Sequence, residues 1–379
     1  MVRSLLIVIM LIFTACASTT TKAVPTTSPP TVTLIVATQT PIPPTVTLAQ
    51  PSPTAKFWIS KRGYHAAAYD SQCDRVIVQG GETNSDYIYN GLNDTWIYDI
   101  AHNKWTKMSP SRSPDIGQGS MAFDNAANLS IFYIGEINAP DQPFFLGPAN
   151  QTWAYDCKRN TWTNLNAKDA PNGLLEAGMA YDSKADRMIL FGGLNLPMSS
   201  DGSYTYSDET WAYDYQTNTW TDLHPKISPP GLNGFSMIYD EFSDRVLAWI
   251  QPENDGTNAI WEYDYTKNTW TPHHMDKPGF VVSSGAAYVP TIKKTFFFGG
   301  ISVPSETPNN DMWTYDSATN TWAQISASNG PGPRGWATLS YSPKADKLVL
   351  IGGGENRDTF TSEVWIYDPD QRSWTKAGP

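Results

Sequence analysis

The chain has 379 residues, which suits one large β domain or two ordinary domains rather than one small core. Aromatic residues make up 13% of the chain and charged residues only 17%, and 27 Gly and 29 Pro favour many short strands joined by turns over a helical bundle. The formal net charge is −11 and every acidic residue lies at or after Asp70, so this region repels phosphate backbones and nucleic acid is excluded as an expected partner.

Residues 1–16 have the features of an export signal. The apolar run Leu5–Phe13 follows a basic residue and is too short to span a bilayer, but it suits the core of a signal peptide. Cys16 follows an alanine, which resembles a bacterial lipoprotein lipobox, although Phe13 stands where that pattern usually has Leu. We predict an exported protein anchored on the outer side of the membrane by a lipid on Cys16. Cleavage after Ala17, which would give a secreted protein, is the alternative.

Residues 17–56 are dominated by Thr and Pro and have no charged side chain between Lys22 and Lys56. Scattered Pro disfavours helices and central strands and favours an extended, solvated chain. We therefore predict a disordered tether or stalk, of a composition that accepts O-glycosylation. The stretch TVTLIVATQT is its only strand-like part, and a strand there is the alternative.

A six-fold repeat fills residues 57–379. Each unit has a Trp followed three residues later by the Asp of a Tyr-Asp pair, and a second Trp nine residues after the first. The intervals between successive first Trp residues are 57, 58, 50, 52 and 52, a period that indicates a repeat architecture. The Trp pairs are Trp96 and Trp105, Trp153 and Trp162, Trp211 and Trp220, Trp261 and Trp270, Trp313 and Trp322, and Trp365 and Trp374.

Each unit also contains a strand-like segment, a tight polar turn and an apolar run that ends at a Gly pair. In the third unit these are AGMAYD, SKAD and RMILFGG, followed by a long polar loop, TWAYD, a second turn and TWTDL. This alternation predicts four antiparallel strands per unit with two tight hairpins. Two units depart from the pattern, because Gly135-Glu136 stands where the second Gly pair belongs and LAWIQP in the fourth unit has no Gly.

The Gly pair, the Tyr-Asp and the Trp at a period near 50 resemble the kelch repeat. The resemblance implies an all-β fold, a six-bladed kelch-type β-propeller with four antiparallel strands per blade. Seven blades is the alternative, and Trp58 is expected to pack as an extra strand near the seam between the first and last blades. The repeats span approximately 57–109, 110–167, 168–226, 227–276, 277–327 and 328–379.

Ligand binding is expected in the loops that do not repeat. The Trp, Tyr, Asp and Gly residues recur in nearly every unit and are therefore predicted to build the core and the turns. The loops between second and third strands gather on one propeller face, where exposed aromatics beside carboxylates and amides suit a sugar or a protein interface. The candidate binding residues are Tyr87, Tyr89, Phe144, Phe145, Tyr204, Tyr206 and Phe360.

No catalytic residue is assigned, but five charged residues are candidates at the channel mouth. Glu82, Glu136 and Glu355 follow the Gly position, and Arg62 and Arg334 precede first strands. A ring of Glu and Arg supports acid–base chemistry on a sugar. The arrangement is similar in outline to the six-bladed kelch sialate mutarotases, in architecture rather than in a complete catalytic motif.

Cys73 and Cys157 are predicted to lie in turns on the opposite face. Kelch propellers also include galactose oxidase-like copper enzymes, whose crosslinked Tyr–Cys must lie at the channel mouth, so these cysteines are badly placed for that chemistry. No cofactor and no metal site is therefore predicted. Both turns face the same side and export permits oxidation, which leaves a disulfide between the two open.

The sequence thus predicts a cell-surface or secreted kelch propeller that binds a protein or a glycan through its loop face. Membrane contact is expected only through the lipid anchor. One alternative is a carbohydrate-active enzyme, mutarotase-like or less expectedly galactose oxidase-like, at the central channel mouth. Another is a purely structural envelope component. Glu, Arg and His side chains that converge around a pocket would favour the enzyme, and a flat aromatic rim would favour binding.

Overall fold

A computed structural model describes residues 58–83, 91–115, 118–138, 146–196, 204–250, 258–275, 279, 281–303, 305–356 and 358–378. The chain divides into two compact units, Met1–Pro53 and Thr54–Pro379, and every described residue belongs to the second. The predicted signal peptide, Cys16 and the predicted tether lie outside the described residues. Among the described residues there is no helix long and apolar enough to cross a membrane.

The described residues form six antiparallel sheets of four strands, each built from one continuous segment. We call these sheets blades 1 to 6, and the strand bounds follow in that order. The strands are β1 (Ala66–Asp70), β2 (Arg75–Glu82), β3 (Gly91–Asp99) and β4 (Lys104–Lys107); β5 (Ser120–Asp124), β6 (Leu129–Asn138), β7 (Leu146–Asp156) and β8 (Thr161–Asn164); β10 (Gly178–Asp182), β11 (Arg187–Phe191), β13 (Thr210–Asp214) and β14 (Thr219–Asp222); β15 (Met237–Asp240), β16 (Arg245–Ile250), β17 (Asn258–Asp264) and β18 (Thr269–Met275); β20 (Gly285–Val289), β21 (Lys294–Phe298), β24 (Met312–Asp316) and β25 (Thr321–Gln324); and β26 (Gly335–Ser342), β27 (Lys347–Gly354), β28 (Val364–Asp368) and β29 (Ser373–Ala377).

Two small sheets accompany the blades, β9 (Leu174–Leu175) with β12 (Leu194–Asn195), and β19 (Val281–Val282) with β22 (Ile301–Ser302) and β23 (Thr307–Pro308). The first strands of the six blades contact one another in a closed ring, because β26 packs against β1 as well as against β20. This arrangement is a β-propeller whose inner strands surround the axis. The all-β, six-bladed fold with four strands per blade is therefore confirmed.

The repeated Tyr, Asp and Asn close the hairpin between the third and fourth strands. In blade 3 the Tyr213 hydroxyl donates to Asn218 Oδ1 at 2.8 Å, and Asp214 Oδ1 accepts the Gln216 amide at 2.9 Å. Asn218 has a φ of 53°, in the left-handed region that Asn tolerates better than most residues. The second Trp, Trp220, follows this turn, so the turn fixes the direction in which its ring leaves the strand.

The second Trp of a unit joins two blades. Trp220 is 1% exposed and its indole nitrogen donates to Thr152 Oγ1 of blade 2 at 2.9 Å. Its ring also contacts Tyr213 of its own blade and Tyr133 of blade 2, with centroids 5.1 Å and 5.6 Å apart. Burying one such ring contributes a few kcal/mol, about 1.5–3 for a large apolar side chain. The predicted structural role of the repeated aromatics is consistent with these contacts.

The ring closes between blades 6 and 1 with the same hydrogen bond that joins other blades. The amide of Gly353 donates to the carbonyl of Arg62 at 3.0 Å, as Gly300 does to Arg334 between blades 5 and 6 at 2.8 Å. Trp58 packs on this seam, where a Cβ built on Gly378 would lie 2.5 Å from its ring. Residues 58–62 form no strand, so the expectation of an extra strand at the seam is wrong, although the seam position itself is as expected.

The strand register corrects the position of the Gly pair in blade 2. Leu129 pairs with Asp124 as Arg75 pairs with Asp70 in blade 1. Counting along β6 from Leu129 then places Ile134 and Gly135 at the Gly-pair positions, and Glu136 at the position after them, which Glu82 occupies in blade 1. The sequence suggested Gly135-Glu136 for the pair because only there does a Gly occur.

Candidate functional site

Three of the seven aromatic residues predicted to bind a ligand are among the described residues. Tyr204 is 54% exposed, and its ring lies against that of Tyr206 with centroids 5.6 Å apart. Phe360 is only 5% exposed and therefore packs under its loop rather than presenting its ring to a ligand. The other four, Tyr87, Tyr89, Phe144 and Phe145, lie outside the described residues.

A ring of six residues, which we call the collar, stands at the start of the inner strands. Each of the six residues lies six positions before the last residue of the first strand of its blade. All six therefore occupy equivalent places in the propeller. They lie on the propeller face that also carries the loops between second and third strands, which we call the collar face. The collar residues are Tyr64, Gln118, Glu176, Gly234, Ser283 and Trp336.

Backbone hydrogen bonds join consecutive collar residues across blade boundaries. The amide of Gly234 donates to the carbonyl of Glu176 at 3.1 Å, and the amide of Ser283 donates to the carbonyl of Gly234 at 2.6 Å. The amide of Trp336 donates to the carbonyl of Ser283 at 2.9 Å. These four residues and Tyr64 have φ between 54° and 64°, a left-handed conformation that bulky residues seldom adopt. The collar therefore holds large side chains in a strained but fixed backbone.

Carboxyl and amide groups concentrate on one side of the collar. Glu82 and Glu136, which occupy the same position in neighbouring blades, are each 2% exposed. Gln118, the collar residue of blade 2, donates from its Nε2 to Glu82 Oε1. In blade 3, Glu176 Oε2 accepts a hydrogen bond from Asn233 Nδ2 at 2.9 Å. We call Glu82, Gln118, Glu136 and Glu176 the acidic cluster.

The pKa values of two carboxyl groups in this cluster are strongly perturbed. Burial, reinforced by the charges of Glu176 and Glu82, raises the pKa of Glu136 to about 8. Burial raises the pKa of Glu176 to about 7, although some of its surface remains accessible. At neutral pH the Glu136 carboxyl is therefore mostly protonated and can donate a hydrogen bond, whereas Glu176 titrates in the physiological range.

Aromatic rings occupy the other side of the collar. The rings of Tyr64 and Trp336 lie 5.6 Å apart and are both half-buried, and Phe360 contacts each of them at 6.0 Å. The two sides adjoin, because Gly63, next to Tyr64, pairs with Glu82 through two backbone hydrogen bonds of 3.0 and 2.9 Å. The collar face thus presents aromatic surface directly beside buried carboxyl groups.

The two candidate arginines do not join the acidic cluster, which corrects the expected ring of Glu and Arg. Arg62 is fully buried and donates to Asp94 Oδ1 at 2.9 Å and to the carbonyl of Gly80 at 2.7 Å. Arg334 is 6% exposed and donates from Nη2 to Glu363 Oε2 at 2.9 Å. Each arginine joins a second-strand glycine carbonyl of its own blade to an acidic residue, Asp94 within β3 or Glu363 directly before β28, which is a structural role.

Glu355 is also separate from the cluster. It lies beyond a third glycine, Gly354, and its side chain is exposed. His65, which follows Tyr64, is 4% exposed, with its Nε2 2.8 Å from Thr338 Oγ1 across the seam. Burial, with a smaller contribution from the charge of Arg62, lowers the pKa of His65 to about 3, so this imidazole is neutral at physiological pH.

The opposite face carries the turns between first and second strands, and we call it the turn face. There the structure joins Cys73 of blade 1 to Cys157 of blade 2 in a disulfide, with a Cα–Cα distance of 6.4 Å. The two sulfurs and Asp70 form the one grouping of potential metal ligands found in the described part of the chain, and disulfide sulfurs are not thiolate ligands. Both cysteines are too far from the collar face to serve it.

A cavity of about 350 Å³ follows the axis between the inner strands and extends to the turn face. Its wall repeats around the axis, with an aromatic residue from every blade. The hydroxyls of Tyr69, Tyr181 and Tyr239 donate to carboxylates of their own turns at 2.7 to 2.9 Å. Because these polar groups are already satisfied locally, the acidic cluster on the collar face is the better candidate site.

Sequence reasoning identified Glu82 and Glu136 but missed four collar residues, Tyr64, Gln118, Glu176 and Trp336. Their identities differ from blade to blade, so they leave no mark in a repeat alignment. The signal that would have found them is positional, six residues before the last position of each inner strand. Chemically, their arrangement offers protonated and ionisable carboxyl groups, one amide and an aromatic wall within a rigid ring.

The KLHDC2/KLHL20/DRC7 Kelch-repeats domain matches this chain over residues 47–247 and 185–379. Kelch-like protein terF of Aspergillus terreus is 24% identical over 317 residues, which cover 81% of this chain and 64% of that protein. Multiple epidermal growth factor-like domains protein 8 of Mus musculus is 22% identical over 296 residues, 75% of this chain and 8% of that protein. The chain thus spans less than two thirds of the length of these relatives.

A solved structure, that of YjhT, superposes on this chain with a TM-score of 0.62. The superposition covers 84% of this chain and 98% of the YjhT chain at 15% sequence identity. At this level of identity the similarity concerns the fold, and the collar residues have to be interpreted from their own geometry.

Proposed function

Because the chain belongs to the KLHDC2/KLHL20/DRC7 kelch-repeat family, we propose that its propeller is a binding module that engages a partner protein through the collar face. We place it outside the cell, anchored by a lipid on Cys16 or secreted. The supporting observation is the collar itself, where aromatic and acidic side chains differ from blade to blade. Five of its six residues have a left-handed φ, and backbone hydrogen bonds join consecutive collar residues from Glu176 to Trp336. Conformational strain of this kind clusters at binding and catalytic sites.

The loop of blade 3 extends the same face outward. Tyr204, 54% exposed, lies on this loop, which is tied back by a hydrogen bond from the Asn195 amide to the Thr205 carbonyl at 2.9 Å. A loop anchored in this way presents its aromatic ring without large loss of conformational freedom on binding. Tyr and Trp are enriched among the residues that dominate protein interfaces, so Tyr204 and Trp336 are the expected contacts.

The proposal is tested by selecting ligands for the full chain from a random peptide display library, with a glycan array screened in parallel. Selected peptides are then titrated against the chain and against two variants. Tyr204→Ala removes an exposed ring of the collar face. Phe242→Ala is the matched control, because Phe242 is 48% exposed in a turn of the turn face.

Tyr204→Ala is expected to weaken binding of the selected peptides about tenfold, the effect of losing roughly 1.4 kcal/mol of contact. Phe242→Ala is expected to leave the affinity unchanged. Loss of binding in Phe242→Ala together with full binding in Tyr204→Ala would mean that the peptides bind the turn face, which contradicts the proposal. If glycans bind on the array and no peptide is selected, the partner is a sugar rather than a protein.

A second candidate function, a carbohydrate-active enzyme at the channel mouth, is favoured by one observation. The pKa values of Glu136 and Glu176 are raised to about 8 and about 7, which suits one carboxyl group as an acid and the other as a base near neutral pH. The test is an NMR assay of anomer and epimer interconversion over a panel of free sugars. Faster equilibration with the full chain, lost in Glu136→Gln, would support the enzyme.

A further inference from the structure

We propose that the acidic cluster takes a single basic side chain, Lys or Arg, from the partner protein. The inference rests on the proposed function and deepens it, since it names the chemistry by which the collar face would recognise its partner. The cluster lies in neighbouring blades 1, 2 and 3. Its members come from the ends of β2 and β6 and from the collar positions of blades 2 and 3.

Two buried carboxyl groups stand at equivalent places in adjacent blades. Glu82 and Glu136 are each 2% exposed and follow the backbone bulges of β2 and β6. A buried carboxylate is unfavourable unless a donor or an opposite charge compensates it. Two neighbouring blades both place Glu here, where blades 3 and 5 have Leu194 and Ile301, which indicates a specific demand for a carboxyl group.

The amide of Gln118 gives an independent indication of a missing donor. Gln118 is 5% exposed, and its Nε2 is engaged with Glu82 while its Oε1 accepts no hydrogen bond from any described residue. Glu136 Oε2 is likewise buried and without a donor within the described part of the chain. Buried acceptors are normally satisfied. A Lys ammonium carries three N–H donors and an Arg guanidinium five, which matches such a set of oxygens.

The described residues place no cation at the two carboxyl groups whose pKa values are raised. Within the described ranges, no Lys or Arg forms an ion pair with Glu136 or Glu176. Arg62 and Arg334, which precede the first strands of blades 1 and 6, form ion pairs with Asp94 and Glu363. A basic side chain of a ligand would thus bring to Glu136 and Glu176 a positive charge that no described residue places there.

The aromatic side of the collar fits the remainder of a basic side chain. Tyr64 and Trp336 adjoin the cluster through the Gly63–Glu82 pairing. Lys and Arg bury their methylene stems against apolar surface, and their charged ends are attracted to aromatic faces. The acidic chain around the site also steers a cationic partner toward it and repels an anionic one.

The test uses capped pentapeptides with one variable central residue between glycines, titrated by isothermal calorimetry into the full chain at pH 9, where the Glu136 carboxyl is ionised. The central residue is Lys, Arg, norleucine or Glu, and norleucine keeps the stem of Lys without its charge. The Lys and Arg peptides are expected to bind at least tenfold more tightly than the norleucine and Glu peptides. Raising the salt concentration from 20 mM to 500 mM is expected to weaken the binding of the Lys and Arg peptides only, because salt screens the attraction between charges.

Glu136→Gln and Glu82→Gln are expected to weaken the Lys peptide at least tenfold, with folding of each variant checked by circular dichroism. The matched control is Glu355→Gln, which removes an exposed carboxylate of the same face and is expected to leave binding unchanged. Equal binding of the Lys and norleucine peptides, or undiminished binding in both Glu variants, would overturn the inference. Display-selected peptides that bind through Tyr204 without any basic residue would overturn it as well, while the proposed function would stand.

Discussion

Replacing Glu136 by Gln should make the propeller more stable at alkaline pH. In the natural chain the pKa of the Glu136 carboxyl group is raised from the ordinary 4.5 to about 8, a difference of about 3.5. Each unit corresponds to about 1.4 kcal/mol, so the buried carboxylate costs up to ~5 kcal/mol once it is fully ionised. Part of this cost is repulsion from Glu176 and Glu82, which the amide of Gln also relieves.

The sign follows from proton linkage. The folded chain binds the proton of Glu136 more tightly than the unfolded chain, so the free energy of unfolding falls as the pH rises from about 4.5 to about 8. Below this window Glu136 is neutral in both states and resembles Gln. Above it the penalty is complete in the natural chain and absent in Glu136→Gln.

Urea unfolding followed by circular dichroism at pH 5 and pH 9 measures the effect. At pH 5 the two chains should differ by less than about 1 kcal/mol, the ordinary range for a near-isosteric change. At pH 9 Glu136→Gln should be the more stable chain, by as much as ~5 kcal/mol. Glu355→Gln, in which the lost carboxylate is exposed, serves as the control and should show no such divergence. The same difference between Glu136→Gln and the natural chain at both pH values would refute the reasoning.

Two further changes test the disulfide of the turn face and the close packing at Gly81 in blade 1. Serine at both Cys73 and Cys157 opens a loop with a sequence separation of 84 and should lower the free energy of unfolding by about 4.5 kcal/mol, measured in urea without reductant; an unchanged midpoint would contradict a disulfide in the folded chain. Gly81→Ala, at a φ of +94° and with its new Cβ 2.6 Å from the Gly63 carbonyl oxygen, should cost at least about 1–3 kcal/mol in the same assay. Gly91→Ala, whose Cβ meets nothing within 4 Å, should cost less than about 0.5 kcal/mol, and equal losses would disprove the crowding at Gly81.

The architecture could be predicted because its signals are local and repeated. Asn218 shows how, since the residue type, its spacing from Tyr213 and its place before Trp220 define one tight turn, and the structure has that turn at a φ of 53°. Because six units repeat the same local pattern, the strand order within a blade and the number of blades can be predicted. Nothing about distant parts of the chain has to be known for this step.

The site could be predicted only in part, because it depends on contacts between distant positions. Arg62 was expected at the channel mouth from its place in the sequence, but its charge is taken by Asp94, 32 residues further along the chain. Glu176 drew no attention, because the effect that singles it out, the raised pKa that burial gives its carboxyl group, arises only in the folded chain. Glu136 was correctly expected to follow the Gly position as Glu82 does, but the Gly pair itself was wrongly assigned to Gly135-Glu136, since a bulge in β6 cannot be read from a single glycine.

Trp58 contacts Gly378, so the first and last described residues of the propeller lie side by side. The polypeptide enters and leaves the described propeller at one point on its rim, and no strand from one end is woven into a blade formed by the other. A propeller whose described ends lie side by side, with no strand exchanged between its first and last blades, has the arrangement that tolerates circular permutation.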